Sequence, residues 1–353
     1  MDPEKLKDTA RCVFDALGGA MTATMIHLGD RLGLYRALFE LGDASSEELA
    51  RHAALSERWV REWLYQQGAA GLLEHRGNLR FALSEEAAAL LADEGHPAFG
   101  AGFFAHLPQQ LRVVEQLPSA FRSGIGLPYD AMGPEGAAGI ERGLAPWFRS
   151  LLVPTVLPRI EGLVSALERG IAVADVGCGG GAALLAMAAA FPSSEFHGYD
   201  ISRHALALAE SNRQSAGISN ASFRDPTRDR LPADPTYGFV TTFDCLHDMA
   251  HPERVMRAIR SSILPKGIWL IADIKAHPSW EENVEHNPMS AMMYGSSVLT
   301  CMSSALSEPD GLGLGTLGFH RELAEQMVRD AGFSSFESID VDHPVNAFYL
   351  VRP

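Results

Sequence analysis

Positive charge is scarce in this 353-residue chain: 29 Lys and Arg stand against 44 Asp and Glu, a net charge of −15. A nucleic-acid backbone is gripped by clustered Lys and Arg, so an extended polyanion is excluded as the main ligand and solubility accounts for the acidity. Cysteine is scarce as well. Cys12, Cys178, Cys245 and Cys301 lie far apart with no C-x-x-C spacing, which excludes a zinc cluster or disulfide framework and leaves four reduced thiols, expected to be buried. No apolar run approaches the about 18 residues of a membrane span. The N-terminal M-D-P-E-K-L-K-D is charged where a secretory signal has an apolar core. Both absences point to a cytoplasmic protein with no membrane partner. Internal repeats and low-complexity tracts are also missing.

What is present is the composition of a globular protein, 46% hydrophobic and 21% charged, and a length above that of one usual core. Two domains are therefore expected. Four of the 33 glycines fall together in V-A-D-V-G-C-G-G-G, residues 173–181. Apolar residues around Asp175, then Gly177, Gly179 and Gly181, then an alanine-rich run from Ala182 to Phe191 before Pro192, predict a buried strand, a tight turn and a helix. Without Cβ atoms such a turn takes positive φ and lets a ligand approach backbone N–H groups. A nucleotide is the natural occupant, at the strand's carboxyl end.

Two readings of the turn stand side by side. The dinucleotide fingerprint G-x-G-x-x-G/A can be laid on Gly177, Gly179 and Ala182. The acidic-x-G-x-G-x-G of Asp175, Gly177, Gly179 and Gly181 resembles the first motif of class I S-adenosylmethionine (SAM) methyltransferases. That resemblance implies SAM as cofactor, S-adenosylhomocysteine as product, and Asp175 with the three glycines near the cofactor's amino-acid end.

Downstream segments extend the pattern. Glu195 to Asp200 reads as a second strand ending in an acid, with Ser202 capping a helix that runs to Gly217. A carboxylate at Asp200 can accept both ribose hydroxyls, in either family. Ala221 to Arg224 is a third strand, and the resemblance implies that the following Asp225 meets the adenine amino group, although Arg224 and Pro226 depart from the family's small-residue context. Ile201 and Phe243 are further cofactor contacts on this view. Tyr237 to Asp244 is a fourth strand, Pro252 opens a helix, and Gly267 to Asp273 is a fifth strand. Phe336 to Val341 and Asn346 to Val351 are alternating segments that look like the reversed terminal hairpin of the methyltransferase sheet, which a simple dinucleotide domain lacks.

His247 lies just past the fourth strand. His247-Asp248-Met249 looks like the His-Asp-Trp segment of plant-type small-molecule O-methyltransferases, whose histidine takes a proton from the acceptor hydroxyl. A phenol with a pKa of about 10 is a poor nucleophile at neutral pH, which a base with a pKa of about 6.5 can remedy. The bland alternative, that His247 only caps a helix or binds backbone, stays open, and Met249 departs from the family's Trp.

The N-terminal part reads differently. Cys12 to Glu40 has helical periodicity, with Phe14, Leu17, Met21, Met25, Leu28, Leu32, Tyr35 and Leu38 on one stripe that wants a partner helix. A capping box at Ser45 to Glu48, a helix from Ser56 to Gly71, a turn at Arg76-Gly77-Asn78 and a helix start at Ser84 complete a winged-helix pattern. Arg58 and Arg61 of its recognition helix are offset by Glu57 and Glu62, and the wing offers only Arg76 and Arg80. Dimerisation and pocket-wall work are expected of it, not DNA binding. The plant-type enzymes share this architecture.

Residues 93–169 form a connector with scattered Gly and Pro, a helical piece from Pro154 to Leu167, and an aromatic F-G-A-G-F-F-A-H segment that lines a cavity or packs between domains. Residues 274–318 are too many for a plain connection ahead of the helix from Phe319 to Asp330, and predict a lid. Its Met292, Met293, Tyr294 and Met302, with Met249, are candidates for an apolar substrate pocket or for ordinary core filling.

The expected fold is α/β: a Rossmann-like seven-stranded methyltransferase sheet with a reversed C-terminal hairpin in residues 170–353, a helical connector and pocket wall in 93–169, and a mainly helical winged-helix domain in 1–92. The expected function is SAM-dependent methylation of a small, fairly apolar acceptor, at oxygen first, by a homodimer. No metal site is expected, although Asp244, Asp248 and Asp273 share an edge. A SAM-sensing winged-helix regulator and a nicotinamide-dependent oxidoreductase are the alternatives.

Overall fold

The computed structural model describes residues 1–353. The chain divides into two compact units, Met1–Pro108 with Arg142–Trp147, and Gln109–Glu141 with Phe148–Pro353. The stretch 93–169 is therefore shared between them, and the helix Gly133–Trp147 changes unit after Glu141.

In the first unit the long helix is Pro3–Arg31, capped by the Asp2 side chain. The helical period does not run unbroken to Glu40 as expected. Gly33 takes φ 71, stops the first helix, and Leu34–Leu41 starts afresh. Ser45 and Glu48 close the expected capping box, with the Ser45 N–H donating to Glu48 Oε2 at 2.9 Å. Helix Glu57–Ala69 packs Trp63 so tightly on the first helix that a Cβ at Gly29 would lie 2.5 Å from its ring. Strands Glu74–His75 and Phe81–Ala82 form the wing around Gly77 and Asn78, and Asp43–Ala44 adds a third strand. Each arginine of the recognition helix and wing is paired with a carboxylate: Arg58 with Glu62, Arg61 with Glu57, Arg76 with Glu74, Arg80 with Asp43. Phe14, Leu17 and Met21 of the long helix are exposed.

The second unit is built on seven strands: β1 (Ala172–Val176), β2 (Glu195–Tyr199), β3 (Ala221–Arg224), β4 (Tyr237–Phe243), β5 (Ile263–Ile274), β6 (Ser335–Ile339) and β7 (Asn346–Arg352). Their order across the sheet is β3-β2-β1-β4-β5-β7-β6. The first five pair in parallel, and β7 runs antiparallel to both neighbours, giving the reversed hairpin. Val173, Ala174, Phe239, Val240, Leu270 and Ile271 are buried, as parallel strands covered on both faces require. β5 starts at Ile263, four residues before the expected start, across an irregular register between Tyr237 and Phe239. Helix Arg203–Ser215 starts on Ser202, whose Oγ accepts the Ala205 N–H at 3.1 Å.

Two helical expectations need correction. Residues 154–167 are not one helix: a π-helical stretch Phe148–Val156 and a 3₁₀ turn Leu157–Arg159 precede a break at Gly162 with φ 75, then Leu163–Arg169. Pro154 and Pro158 remove two backbone donors there, which favours irregular winding. The last long helix begins at Arg321 on a His320 cap, not at Phe319. The insert before it is itself structured, as Trp280–His286, Ser290–Ser296, the π-helical Ser297–Cys301 and Met302–Ala305. It is tied down where the Gly315 N–H donates to the His247 carbonyl at 3.0 Å and the Leu312 N–H to that of Ala250 at 2.8 Å.

Candidate active site

Because β1 to β5 are parallel, their carboxyl ends meet at one edge of the sheet, which is where open α/β sheets place ligands. Asp175, Asp200, Asp225, Asp244 and Asp273 all fall there. The glycine turn follows β1. The N–H groups of Gly177 and Cys178 both reach the Tyr199 carbonyl, at 2.8 and 3.1 Å, which fixes the turn against β2. Gly177, Gly179 and Gly181 have φ of 77, 54 and 87. Their surroundings differ. A Cβ at Gly177 would strike Cys245 and one at Gly181 would strike Phe223, whereas one at Gly179 would meet nothing within 4 Å. Two of the glycines serve packing, and Gly179 opens onto free space.

Asp200 is built into this turn. Its Oδ2 accepts the Gly179 N–H and its Oδ1 the Ser202 N–H, each at 2.8 Å, and the residue is 9% exposed. Each oxygen keeps a further lone pair for a ligand. Burial raises its pKa, against the pull of those two N–H groups. Asp175 is 1% exposed and accepts the Thr241 hydroxyl at 2.7 Å. Burial, then the Asp200 and Glu141 charges, push it up to about 7 despite that bond.

Glu141 had no signal in the sequence, since it lies far upstream of the glycines. Its carboxylate packs on Gly180, where a Cβ would come within 2.7 Å of it. Burial pushes it up to about 7, opposed by bonds from the Ala182 and Gly180 backbones and by Arg149. The Ala182 and Gly180 backbones belong to the amino end of helix Ala182–Ala190, where a helix favours negative charge, and the protein's own carboxylate supplies it there.

Across the edge, His247 is 3% exposed and its Nδ1 lies 2.6 Å from Asp273 Oδ1. Burial would lower its pKa, but the Asp273 charge and Cys301 raise it well above the usual value. Cys301, on the insert, is close enough for its charge to favour the imidazolium. Asp244 sits in the left-handed region at φ 48, bonds Asn346 through its Oδ1, and is pushed to about 7 by burial and then by the Asp273 charge. Burial raises Asp248 well above the carboxylate range. Tyr129, also missed in the sequence, feels the charges of Asp248 and Asp200 after burial has raised its hydroxyl.

The remaining expected residues scatter. Phe243 is buried with its ring 5.0 Å from Phe148, and Ile201 is exposed. Asp225 is on the rim, where Thr227 donates to it and Arg228 pairs with it. Met249 is partly buried beside Gly177. Met292 and Met293 do not share a face: successive helical residues diverge by about 100°, so Met293 is buried while Met292 is 61% exposed. Tyr294 and Met302 are partly buried.

Residues 167–332 match the family model of a methyltransferase domain, and residues 20–93 that of the Rv2258c-like winged HTH domain. A ubiquinone biosynthesis O-methyltransferase of Leptothrix cholodnii is 28% identical over 127 residues, 35% of this chain and 53% of that protein. The chain thus spans about half the length of the curated relatives it matches. Among solved structures, a Nostoc punctiforme protein described as an O-methyltransferase has a TM-score of 0.75 at 18% identity, over 97% of this chain and 99% of that one. Human N-acetylserotonin methyltransferase in complex with SAM has a TM-score of 0.70 at 18% identity, over 98% and 97%. At such identities the likeness carries the fold.

Proposed function

On the premise that the chain carries a methyltransferase domain behind a winged helix-turn-helix domain, we propose that it transfers a methyl group from SAM to a hydroxyl of a small, fairly apolar acceptor and releases S-adenosylhomocysteine. The observation that carries this reading is the meeting, on one sheet edge, of an open Gly179, a doubly bonded Asp200 and the His247–Asp273 pair. When bound, SAM supplies a methyl carbon on a positively charged sulfur.

The residues fit that group by charge. Asp175, Glu141 and Asp200 are held in one buried neighbourhood with raised pKa values, an arrangement that a cation relieves and a pyrophosphate aggravates. Asp200 would hold the ribose hydroxyls. Asp175, Gly177, Gly179 and Gly181 would shape the methionine end, with Ile201, Asp225 and Phe243 around the nucleoside. The same charge argument, with Glu141 at the helix end, weighs against a nicotinamide dinucleotide. The paired arginines of the first unit weigh against a DNA-binding regulator.

His247 is the base. Asp273 accepts its Nδ1–H, which leaves Nε2 for the proton of the acceptor hydroxyl, and a carboxylate partner stabilises the imidazolium that results. Met249, Met293, Tyr294 and Met302 are the proposed apolar wall, while Met292 contributes nothing from its exposed position. Holding oxygen and methyl carbon about 3 Å apart in a dry site supplies much of the rate. The exposed stripe on the first helix is the proposed homodimer face.

The test is release of S-adenosylhomocysteine with a panel of small phenols. His247→Gln is expected to slow turnover by about 10²- to 10⁴-fold with SAM affinity nearly unchanged. Full activity in that variant removes His247 as the base.

A further inference from the structure

We propose that Asp130 is a positioning residue of the cofactor site, on a strap of residues 125–132 that lies closed across the sheet edge; its lifting to exchange SAM for S-adenosylhomocysteine rests on the methyltransferase reading above. The strap and everything it touches here belong to the second unit. The Ser202 hydroxyl donates to Asp130 Oδ1 at 2.5 Å, and Arg203 Nε lies 3.5 Å from Asp130 Oδ2. Ser202 is also the residue whose N–H donates to Asp200 Oδ1 at 2.8 Å. Asp130 thus reaches the carboxylate assigned to the ribose through one intermediate residue.

Glycine hinges bracket the strap. Gly124 takes φ 76, and Gly133 takes φ 69 with ψ −172, a conformation open essentially to glycine alone. Next to the first hinge the Gly126 N–H donates to the Leu306 carbonyl at 2.9 Å and the Leu127 N–H to Ser303 Oγ at 2.8 Å. Backbone meets backbone there, since a Cβ at Gly126 would overlap the Ser303 carbonyl. The same insert reaches the His247 carbonyl through the Gly315 N–H. Pro128, its φ of −64 fixed by the ring, joins this anchor to Asp130. The strap therefore runs from the insert beside His247 to Ser202 beside Asp200. Tyr129 lies between the two anchors, where burial and then the Asp248 and Asp200 charges raise its hydroxyl.

Ser202 shows what the closed strap does for the site. It is 2% exposed, and its Oγ accepts the Ala205 N–H at 3.1 Å as the cap of helix Arg203–Ser215, so its hydroxyl proton needs an acceptor, which Asp130 supplies. With that acceptor gone a buried O–H is left unsatisfied, and the Ser202 backbone is free to turn away from Asp200. Asp200 then loses one of the two N–H groups that aim it, and its hold on Gly179 loosens. Charge acts in the same place. Burial, and after it the Asp130 charge, raises Asp200, so the closed strap adds negative charge where a cationic ligand is expected.

Amide hydrogen exchange of the full-length, unliganded chain, read residue by residue by NMR, tests the positioning role without a cofactor. The Gly179 and Ser202 N–H groups are held by Asp200, whereas the neighbouring Gly177 and Cys178 N–H groups are held by the Tyr199 carbonyl. Asp130→Ala is expected to speed exchange of the first pair about 10-fold, the effect of losing a hydrogen bond to a charged group, and to leave the second pair at the wild-type rate. Asp130→Asn keeps an acceptor oxygen and should fall between wild type and Ala. Gly126→Ala pushes the other end of the strap off the insert with Asp130 intact, and should speed the same two amides because the strap moves as one piece. Wild-type exchange at Gly179 and Ser202 in Asp130→Ala, or equal acceleration of all four amides, overturns the proposal. Stopped-flow displacement then follows release of S-adenosylhomocysteine, which Asp130→Ala and Gly126→Ala should each speed about 10-fold. Unchanged release from both would overturn the lifting of the strap. A wild-type chain that binds neither SAM nor S-adenosylhomocysteine removes the methyltransferase reading, and the exchange rates still decide the role of Asp130.

Discussion

Replacing Asp200 by Asn changes one oxygen to an amide in the most connected side chain of the glycine turn. In the folded protein its two oxygens each accept a backbone N–H at 2.8 Å, from Gly179 and Ser202. Asn keeps one acceptor and turns an NH₂ toward the other donor. A hydrogen bond to a charged group contributes about 1.5–3 kcal/mol, but burial already disfavours the carboxylate here, so removing the charge offsets part of the loss to folding. The cofactor loses more than the fold does. Of two ribose hydroxyls donating to a charged oxygen, one loses its partner, again about 1.5–3 kcal/mol, and SAM affinity should fall about 10- to 150-fold. Isothermal calorimetry with SAM and with S-adenosylhomocysteine measures this, and a melting curve confirms that the variant is folded. A folded variant with wild-type affinity for both would refute the placement of the ribose.

Stability should also depend on pH in a direction set by Asp175. Its folded pKa of about 7 lies above its ordinary 3.8, so the folded state binds its proton more tightly; the stabilisation is complete below the ordinary value and is lost as pH rises toward 7. Urea unfolding at a series of pH values should show stability falling over that window, by on the order of 4 kcal/mol from this group, with a flatter slope in Asp175→Asn; equal slopes contradict the assignment. Phe14→Glu, on the exposed stripe of the first helix, should shift a dimer toward monomer in light scattering. A wild-type chain that is monomeric at all concentrations would remove the proposed interface.

The sheet was readable because its strands carry their own signal. Runs such as Val173 to Val176 and Phe239 to Phe243 are buried on both faces, and the terminal segments are rich in β-branched and aromatic residues, so strand positions and the reversed hairpin follow from local pattern. Caps were equally local: Ser45 with Glu48 and Ser202 bond within three residues. What escaped was tertiary. Glu141 reaches the amino end of a helix far along the chain, Tyr129 enters the field of Asp200 and Asp248, and Cys301 meets His247 only because the insert folds back on the sheet edge. Periodicity also ran straight through Gly33, where a single left-handed residue divides one apolar stripe into two helices.

The central claim is that this acidic pocket takes a cationic sulfur nucleoside. Calorimetric titration of the wild-type protein with SAM and with NAD, near pH 6.5 in two buffers of different ionisation enthalpy, tests it directly. SAM is expected to bind with release of protons, because its positive charge lowers the pKa of Asp175 and Glu141, both about 7 in the free protein, while NAD does not compete. Tighter binding of NAD than of SAM would contradict the account.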